Sequence, residues 1–322
     1  MNGRTGGWLS VCFALLVLAV TEAGADSRDY GLAPKAIALG VYVFEGANED
    51  FSYRNGGNIL NTGVIVGDEG VIVINTGPSR LYGEQLRAAI ARLTDKPILR
   101  VYLSKPHPDH FLGNQAFRDV PIHAHPRAIE LLRQQADQFT DNMYRLVDTW
   151  MLGTEPVLPT DIATAGVVRV GGRLLEVITL SGHTPGDLVV LDRASGVLFA
   201  GGIVFHDRAP TTPHADLKSW LAELERLRRV TYRILVPSHG PIAVDGGAID
   251  QTAAYLHWLD QTLNHAARDG LDMAEALALD LPPEFAAMAV MPAEYQRSLN
   301  HLYRDYEARY LVPVGTTRDS GR

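Results

Sequence analysis

The sequence predicts an α/β fold, in which segments typical of strands alternate with segments typical of helices. A strand at 70–74, a helix at 79–93 and a strand at 98–103 follow one another closely, as in a βαβ unit. The same order of strands followed by a helix returns in the second half of the chain. A composition of 46% hydrophobic and 20% charged residues, without an obvious repeat, is ordinary for a globular protein.

In the first half of the chain, apolar or alternating runs predict strands, and glycine-rich turns separate them. A Gly-Asp-Glu turn joins the second and third strands and indicates a hairpin. Apolar side chains from Leu86 to Leu93 recur at helical spacing and predict one buried helix face. The predicted strands lie at 37–44, 61–66, 70–74, 98–103 and 120–124, and the predicted helices at 79–93, 111–117 and 127–147.

In the second half, short strands return after a connecting loop at 156–164, and a turn at Gly201-Gly202 ends one of them. Residues 26–247 are interpreted as a core domain. Residues 248–322 contain amphipathic helices and predict a C-terminal helical extension packed on that core, with a mobile tail after Val314. The predicted strands lie at 167–170, 174–180, 188–192, 197–200 and 234–237, and the predicted helices at 217–228, 253–267 and 294–310.

The first 25 residues predict a cleavable signal peptide. Arg4 precedes an apolar run at 8–20, and Ala23-Gly24-Ala25 fits a cleavage site after Ala25. The apolar run is short for a membrane span, so we expect no stable membrane insertion after cleavage. Cys12 is the only cysteine, so the mature chain would have neither disulfides nor cysteine ligands. A periplasmic or secreted location follows from these features.

Charge and motifs restrict the class of partner. The formal net charge is −8 and no notable basic run offsets it, which argues against nucleic acid as a partner. The sequence contains neither a phosphate-binding glycine loop nor a serine-nucleophile elbow. We therefore expect a small-molecule substrate.

One loop concentrates side chains that bind metals. Directly after the strand at 98–103, the chain carries His107, Asp109 and His110 within four residues, in a loop that Pro106 and Pro108 stiffen. Such a group at a strand end is costly unless it binds something. His183 and His239, each beside glycine, supply further candidate ligands. A divalent metal held by such residues with an open position can activate a water molecule as the nucleophile of a hydrolysis.

The order of four motifs then resembles the metallo-β-lactamase superfamily. These motifs are Asn-Thr-Gly, His-x-Asp-His, Ser-Gly-His-Thr-Pro-Gly and Ser-His-Gly, and the resemblance covers roughly residues 37–245. It implies a four-layer αββα sandwich with a metal site at the edge of two sheets. Two further stretches, at 75–83 and 299–307, resemble the SoxH-like branch, which includes zinc metallohydrolases associated with quinoprotein dehydrogenase systems. A periplasmic quinoprotein partner is therefore a second expectation.

The chain departs from the family pattern at three positions. Lys105 stands where the motif begins with a histidine, Gly202 where an aspartate bridges two metals, and Asn75 where an aspartate is usual. By resemblance, the first metal position keeps only His107 and His183. The second position keeps a full set of three ligands, Asp109, His110 and His239. Because three ligands plus water is the usual catalytic count, we favour one Zn²⁺ per chain, with two as the alternative.

The role of Lys105 is open at this point. A protonated Lys105 would repel a cation at the first position by about 4 kcal/mol at short range. It could replace that cation and polarise a substrate carbonyl or anchor a carboxylate. It could instead act as a base if its pKa is depressed, or extend to solvent from a degenerate site. We predict Lys105 and Asp109 as catalytic residues.

Other polar and aromatic residues are weaker candidates. Asn75 could orient a ligand through a hydrogen bond, and Asp187 is better interpreted as a turn residue. Some side chains could border the pocket without binding metal: His123, His125, Tyr144, Trp150, His206, Asp207 and His214. Three histidines lie on predicted helices of the extension and are interpreted as structural: His257, His265 and His301.

These features together predict a secreted, zinc-dependent hydrolase that cleaves an ester, thioester or amide bond with a metal-bound water. Turnover of β-lactams remains within this prediction. The alternative hypothesis is a catalytically degenerate protein on the same fold, which binds a small molecule or a quinoprotein partner. Because variable loops decide the substrate in this fold, the sequence alone does not choose it.

Overall fold

The computed structural model describes Gly3 and residues 28–310, which form two mixed β-sheets with helices on their outer faces. The predicted signal peptide, apart from Gly3, lies outside the described residues. The same holds for Cys12 and for the predicted mobile tail after Val314. In the described part of the chain, no helix is long and apolar enough to cross a membrane.

The first sheet has seven strands in chain order, β1 to β7. The first four are antiparallel neighbours, and β4 to β7 then run parallel through crossover connections. Its strands are β1 (Lys35–Ala38), β2 (Val41–Phe44), β3 (Thr62–Val66), β4 (Val71–Ile74), β5 (Ile98–Tyr102), β6 (Ile122–Ala124) and β7 (Asp161–Ile162).

The second sheet has five strands in the order β12-β11-β10-β9-β8, and its strand β12 returns parallel to β11. The other neighbours are antiparallel. Its strands are β8 (Gly166–Val170), β9 (Arg173–Leu180), β10 (Asp187–Asp192), β11 (Val197–Phe205) and β12 (Ile234–His239).

Helices connect and flank the strands. The α-helices are α1 (Arg80–Leu93), α2 (Pro108–Phe111), α3 (Pro126–Val147), α4 (Leu217–Leu227), α5 (Gly247–Arg268), α6 (Met273–Leu277), α7 (Pro283–Ala286) and α8 (Ala293–Tyr310). Two 3₁₀ helices span Leu112–Phe117 and Asp148–Met151. Side-chain caps fix several helix starts: the Ser79 hydroxyl, for example, accepts a hydrogen bond from the Tyr82 backbone N–H.

Three hydrophobic clusters show that the elements form four layers. One cluster lies between the sheets and includes Val43, Ile72, Val177 and Phe199. A second packs the outer face of the first sheet against α1 and α3. A third packs the outer face of the second sheet against α4, α5 and α8. The αββα sandwich expected from the sequence is therefore confirmed, and the C-terminal helices contribute to its fourth layer. The boundary placed after residue 247 stays a prediction.

Three local predictions were wrong. The segment at 37–44 was predicted as one strand, but a turn at Leu39-Gly40 divides it between the antiparallel strands β1 and β2. The segment at 156–164 was predicted as a loop, but it contains β7, which pairs with β6 at the sheet edge. The predicted turn at Gly201-Gly202 lies inside β11, which continues to Phe205. Every residue of β11 is buried, so the two glycines do not mark an exposed turn. They sit instead where the register between β11 and β12 shifts.

The contact between the sheets yields a stability prediction. Phe199 fills the space beside Gly63 so closely that a Cβ atom at Gly63 would lie 2.2 Å from its ring. We expect Phe199→Ala to lower the free energy of unfolding by about 3–5 kcal/mol, because it opens a cavity between the sheets. Val244→Ala, at a side chain that is 77% exposed, should change it by less than about 0.5 kcal/mol. Urea unfolding followed by circular dichroism measures both, and equal effects would contradict the packing argument.

Candidate active site

The histidine-rich loop follows β5 and is held by hydrogen bonds from neighbouring loops. The Asn75 side-chain oxygen accepts hydrogen bonds from the Ser104 backbone N–H at 2.8 Å and the Ser104 hydroxyl at 3.0 Å. The Thr76 backbone N–H donates to the His110 carbonyl at 2.9 Å. Asn75 therefore positions the segment that leads into the loop, rather than a ligand directly. Pro108 opens the short helix α2, which carries Asp109 and His110 inward.

The other two histidines come from the second sheet. His183 lies in the turn between β9 and β10, fully buried against the Trp220 ring at 4.6 Å between centroids. Asp187 closes that turn by accepting hydrogen bonds from the Thr184 backbone and hydroxyl, as expected for a turn residue. His239 is the last residue of β12. The structure thus brings all five predicted metal ligands to one edge of the sandwich.

The His239 and Asp109 side chains approach each other with atoms that carry lone pairs. The His239 Nδ1–H donates to the Ile59 carbonyl at 2.9 Å, so in the neutral ring Nε2 carries the lone pair. That Nε2 atom lies 3.4 Å from Asp109 Oδ2, which has no hydrogen-bond partner. Two buried lone-pair atoms at this distance repel each other unless a proton or a cation lies between them.

The protonation states of the cluster suit a metal. Burial lowers the pKa of His110 to about 4 and that of His239 well below its ordinary value, so both rings are neutral at pH 7. Burial raises the pKa of Asp109, but His110, Lys105 and His239 together bring it well below its ordinary value. One ionised carboxylate and two neutral imidazoles are the ligand forms that zinc requires.

Donor positions fit a metal only in part. His110 Nδ1 lies 3.1 Å from Asp109 Oδ1, and His110 Nε2 is buried without a hydrogen-bond partner. These unpartnered atoms of Asp109 and His110, together with His239 Nε2, are the donors that fit a cation. Within residues 28–310, however, no three His, Cys, Asp or Glu side chains are arranged as a ready-made metal-binding group.

Side chains fill the position at which the family pattern places the first metal. Lys105 is 1% exposed, and its ammonium lies 3.1 Å from His183 Nε2. Burial, partly offset by Asp109 and Asp187, lowers the pKa of Lys105 to about 8, so it remains largely protonated at pH 7 and donates to His183. His107 Nε2 lies 3.2 Å from His214 Nδ1. The hypothesis that Lys105 extends to solvent is therefore wrong, because the side chain points into the site.

Gly202 makes room for Lys105. A Cβ atom at position 202 would lie 2.5 Å from both the Lys105 side chain and the His183 ring. Any larger residue there requires one of these side chains to move. The two departures from the family pattern at Lys105 and Gly202 are therefore linked by packing. Because position 202 has no side chain, the Lys105 side chain has space beside His183.

A cavity of about 280 Å³ connects this cluster with the surface. Lys105, His107, Asp109 and His239 contribute to its wall, and α3 adds Phe139. The remaining lining residues are Asp50, Phe51, Ile59, Pro108, Asn142, Leu146, Arg208, Thr211, Pro213, His214, Glu294, Arg297 and His301. The cavity therefore combines the polar cluster with apolar side chains, which is typical of small-molecule sites.

Of the weaker candidates, only His214 and His301 line the cavity. His123 packs beside Tyr102, and His125 caps the start of α3. His206 donates to the Pro241 carbonyl, and Asp207 accepts a hydrogen bond from Gln251. Trp150 stacks near Tyr30. None of these, nor Tyr144, His257 or His265, contributes to the cavity wall.

Sequence reasoning missed several cavity residues and interpreted His301 as structural. Arg208, Glu294 and Arg297 were not proposed as site residues, although Arg208 and Glu294 are each 1% exposed. On α8, Glu294, Arg297 and His301 recur at spacings of three and four, so their polar stripe on one helix face was visible in the sequence. Their partners on distant loops were not.

Similarity to known proteins identifies the family of this chain. A family model described as "Metallo-beta-lactamase superfamily" matches residues 55–239. The chain belongs to the metallo-β-lactamase superfamily. A superfamily structure from Pontibacter korlensis has a TM-score of 0.58 at 23% identity, covering 70% of this chain and 99% of that one. One from Hirschia baltica has a TM-score of 0.56 at 17% identity, covering 70% and 97%. These two similarities concern the fold alone.

Among curated relatives, a linear primary-alkylsulfatase from a Pseudomonas species is 23% identical over 77% of this chain and 55% of its own length. The human acyl-coenzyme A thioesterase MBLAC2 is 28% identical, over 57% of this chain and 72% of its own. The chain thus spans little more than half of the alkylsulfatase. Enzymes of this superfamily typically bind zinc.

The packing of Lys105 against position 202 can be tested with a double-mutant cycle. We expect Gly202→Ala to destabilise the protein by about 1–3 kcal/mol, because its methyl group overlaps Lys105 and His183. In a Lys105→Ala background the same change should cost at least about 0.5 kcal/mol less. Thermal and urea unfolding of the four proteins give this coupling. Additive effects would show that the two positions do not share space.

Proposed function

We propose that this protein is a metal-dependent hydrolase that cleaves an ester or thioester bond and holds one Zn²⁺ with Asp109, His110 and His239. The observation that carries the proposal is the close approach of two atoms with lone pairs in the cavity wall. Asp109 Oδ2 and His239 Nε2 lie 3.4 Å apart. When bound, zinc would activate a water molecule and withdraw electrons from the substrate carbonyl. The relatedness to thioesterases supports a thioester or ester as substrate.

Three residues of the chain would have further roles in the proposed reaction. The Lys105 ammonium, held beside His183 and 5.3 Å from the Phe205 ring centre, would donate a hydrogen bond to the oxygen of a substrate carbonyl. The Asp109 carboxylate would orient the attacking water as a hydrogen-bond acceptor. The hydrogen bond from His239 to the Ile59 carbonyl would fix the ring orientation.

The donor atoms without hydrogen-bond partners support the proposal of one zinc rather than two. His183 Nε2 is occupied by Lys105, and His107 Nε2 by His214, so neither histidine offers its inward nitrogen to a second ion. The metal-ligand role predicted for His107 and His183 therefore belongs to the less favoured two-zinc arrangement.

The second candidate is a binding protein without catalytic metal. One observation favours it, namely that residues 28–310 contain no ready-made group of three metal-binding side chains. Three finer proposals accompany these two candidates. Membership of the SoxH-like branch, a quinoprotein partner and a periplasmic location rest on short sequence stretches and on the predicted signal peptide.

Zinc content separates the two candidates. Elemental analysis of the mature protein should give about one zinc per chain, as expected for three ligands plus water. His239→Ala should lose it, and His257→Ala, at an exposed helix position, should retain it. Lys105→His should raise the content toward two. Absence of bound zinc after reconstitution at neutral pH would refute the hydrolase and favour the binding protein.

The reaction itself can be tested with matched substrates. We expect the zinc-loaded protein to hydrolyse an acyl-coenzyme A thioester or a p-nitrophenyl ester. Asp109→Asn should lower kcat/KM by about 100-fold or more, because it removes the ionised acceptor beside the nucleophile. His257→Ala should leave the rate unchanged. A carbapenem assayed in parallel tests β-lactam turnover, and failure on every ester and thioester would contradict the proposed reaction.

A further inference from the structure

The C-terminal helix α8 adds a group of charged residues to the cavity. Glu294, Arg297 and His301 line it from one face of α8, and Asp50 and Arg208 join them from two distant loops. Except for Arg208, these residues lie outside the segment matched by the family model. This end of the cavity is therefore mostly built by parts of the chain beyond that segment.

Three of these residues neutralise one another in part. Arg297 forms ion pairs with Asp50 Oδ2 at 2.7 Å and with Glu294 Oε2 at 2.7 Å. Two carboxylates thus surround one guanidinium. Glu294 is 1% exposed, and burial raises its pKa despite the neighbouring arginines. Of the two arginines in this charged group, Arg208 is the one without a carboxylate at ion-pair distance, and Glu294 and Asp50 act on it only at longer range.

Arg208 is a buried cation with spare donors. It is 1% exposed, and its Nη1 donates to the Glu49 backbone carbonyl. Its Nε–H is buried without a hydrogen-bond partner, and Arg208 forms no ion pair with any carboxylate among residues 28–310. Burying a charge without a partner is costly. A cavity-lining guanidinium in this state is suited to receive an anion.

The backbone around Arg208 is fixed. Ala209 N–H donates to the Ala289 carbonyl at 3.2 Å, and Ala289 N–H donates to the Asp207 carbonyl at 3.0 Å. Val290, three residues before the first residue of α8, has a φ of 70°, which is strained for a β-branched residue. These contacts join the loop that carries Arg208 to the segment that leads into α8, so the charged residues are held before a ligand arrives.

Apolar side chains complete the wall. Phe51 comes from the loop after β2, and Phe139 and Leu146 come from α3. Leu146 is 40% exposed, so part of this surface is not covered by the protein itself. A ligand that fits both parts of the wall has an apolar segment as well as a charged group.

We propose that the cavity binds molecules in which an apolar segment carries an anionic group, and that Arg208 pairs with that anion. Substrates would then be esters or thioesters of such amphiphilic anions. The substrate part of this statement rests on the proposed function, but binding of the anion does not require zinc. Arg208 acts as a specificity-determining residue, and Glu294 opposes the anion through its own negative charge.

Equilibrium binding of hexanoate and hexanol tests the proposal, because the two probes share an apolar chain and differ in the carboxylate. Isothermal titration calorimetry on the full chain should show tighter binding of hexanoate. Arg208→Gln should weaken hexanoate binding by about 10- to 100-fold, the loss expected for a charge-assisted hydrogen bond, and leave hexanol unchanged. Glu294→Gln should tighten hexanoate binding several-fold. Arg193→Gln, at an exposed arginine paired with Glu176, is the matched control.

The His239→Ala variant distinguishes this proposal from the proposed function. If hexanoate keeps its preference in His239→Ala and loses it in Arg208→Gln, Arg208 is the anion site. If the preference disappears only in His239→Ala, the carboxylate binds the metal, which overturns the Arg208 assignment but supports the metal site. Equal binding of both probes by the unaltered protein also overturns the proposal. The effect of Glu294→Gln guards against unfolding, since a damaged fold would not bind hexanoate more tightly.

Discussion

The structure depends on one electrostatic constraint, the need for positive charge beside the lone pairs of Asp109 and His239. Both residues are buried, and Asp109 Oδ2 has no hydrogen-bond partner. A cation or a proton held between the two atoms would remove the repulsion between their lone pairs and would be favoured by the low polarity of the surrounding protein. Lys105 supplies one positive charge inside the same cavity wall. The proposed zinc would supply the second, at the atoms that face each other.

The two halves of the site differ in how their nitrogen and oxygen donors are used. At one position the inward nitrogens of His183 and His107 are engaged by Lys105 and His214, so hydrogen bonds replace metal bonds. At the other, the donors remain without partners. Gly202 belongs to the first arrangement, because only a residue without a side chain leaves space for the lysine stem. In the proposed one-zinc arrangement, hydrogen-bonded side chains would occupy the other metal position of the family pattern.

The C-terminal helices connect the site to the rest of the chain. They cover the second sheet through a large hydrophobic cluster, and the same packing brings one polar face of α8 to the cavity. A single helix therefore contributes both to stability and to the cavity wall. Because Asp50 and Arg297 are 247 positions apart in sequence, their ion pair joins the two ends of the described chain across the cavity.

The sequence by itself determined the α/β order of elements, the four motifs and the predicted ligands, because strand alternation, helix periodicity and close spacing are local properties. The αββα layers were expected from the resemblance to the metallo-β-lactamase superfamily. Only the tertiary structure decided that Lys105 points inward, that β11 continues through Gly201-Gly202, and that Arg208 and His301 line the cavity. Each of these depends on partners far away in sequence. Burial and side-chain direction are set by packing between layers, which no local pattern contains.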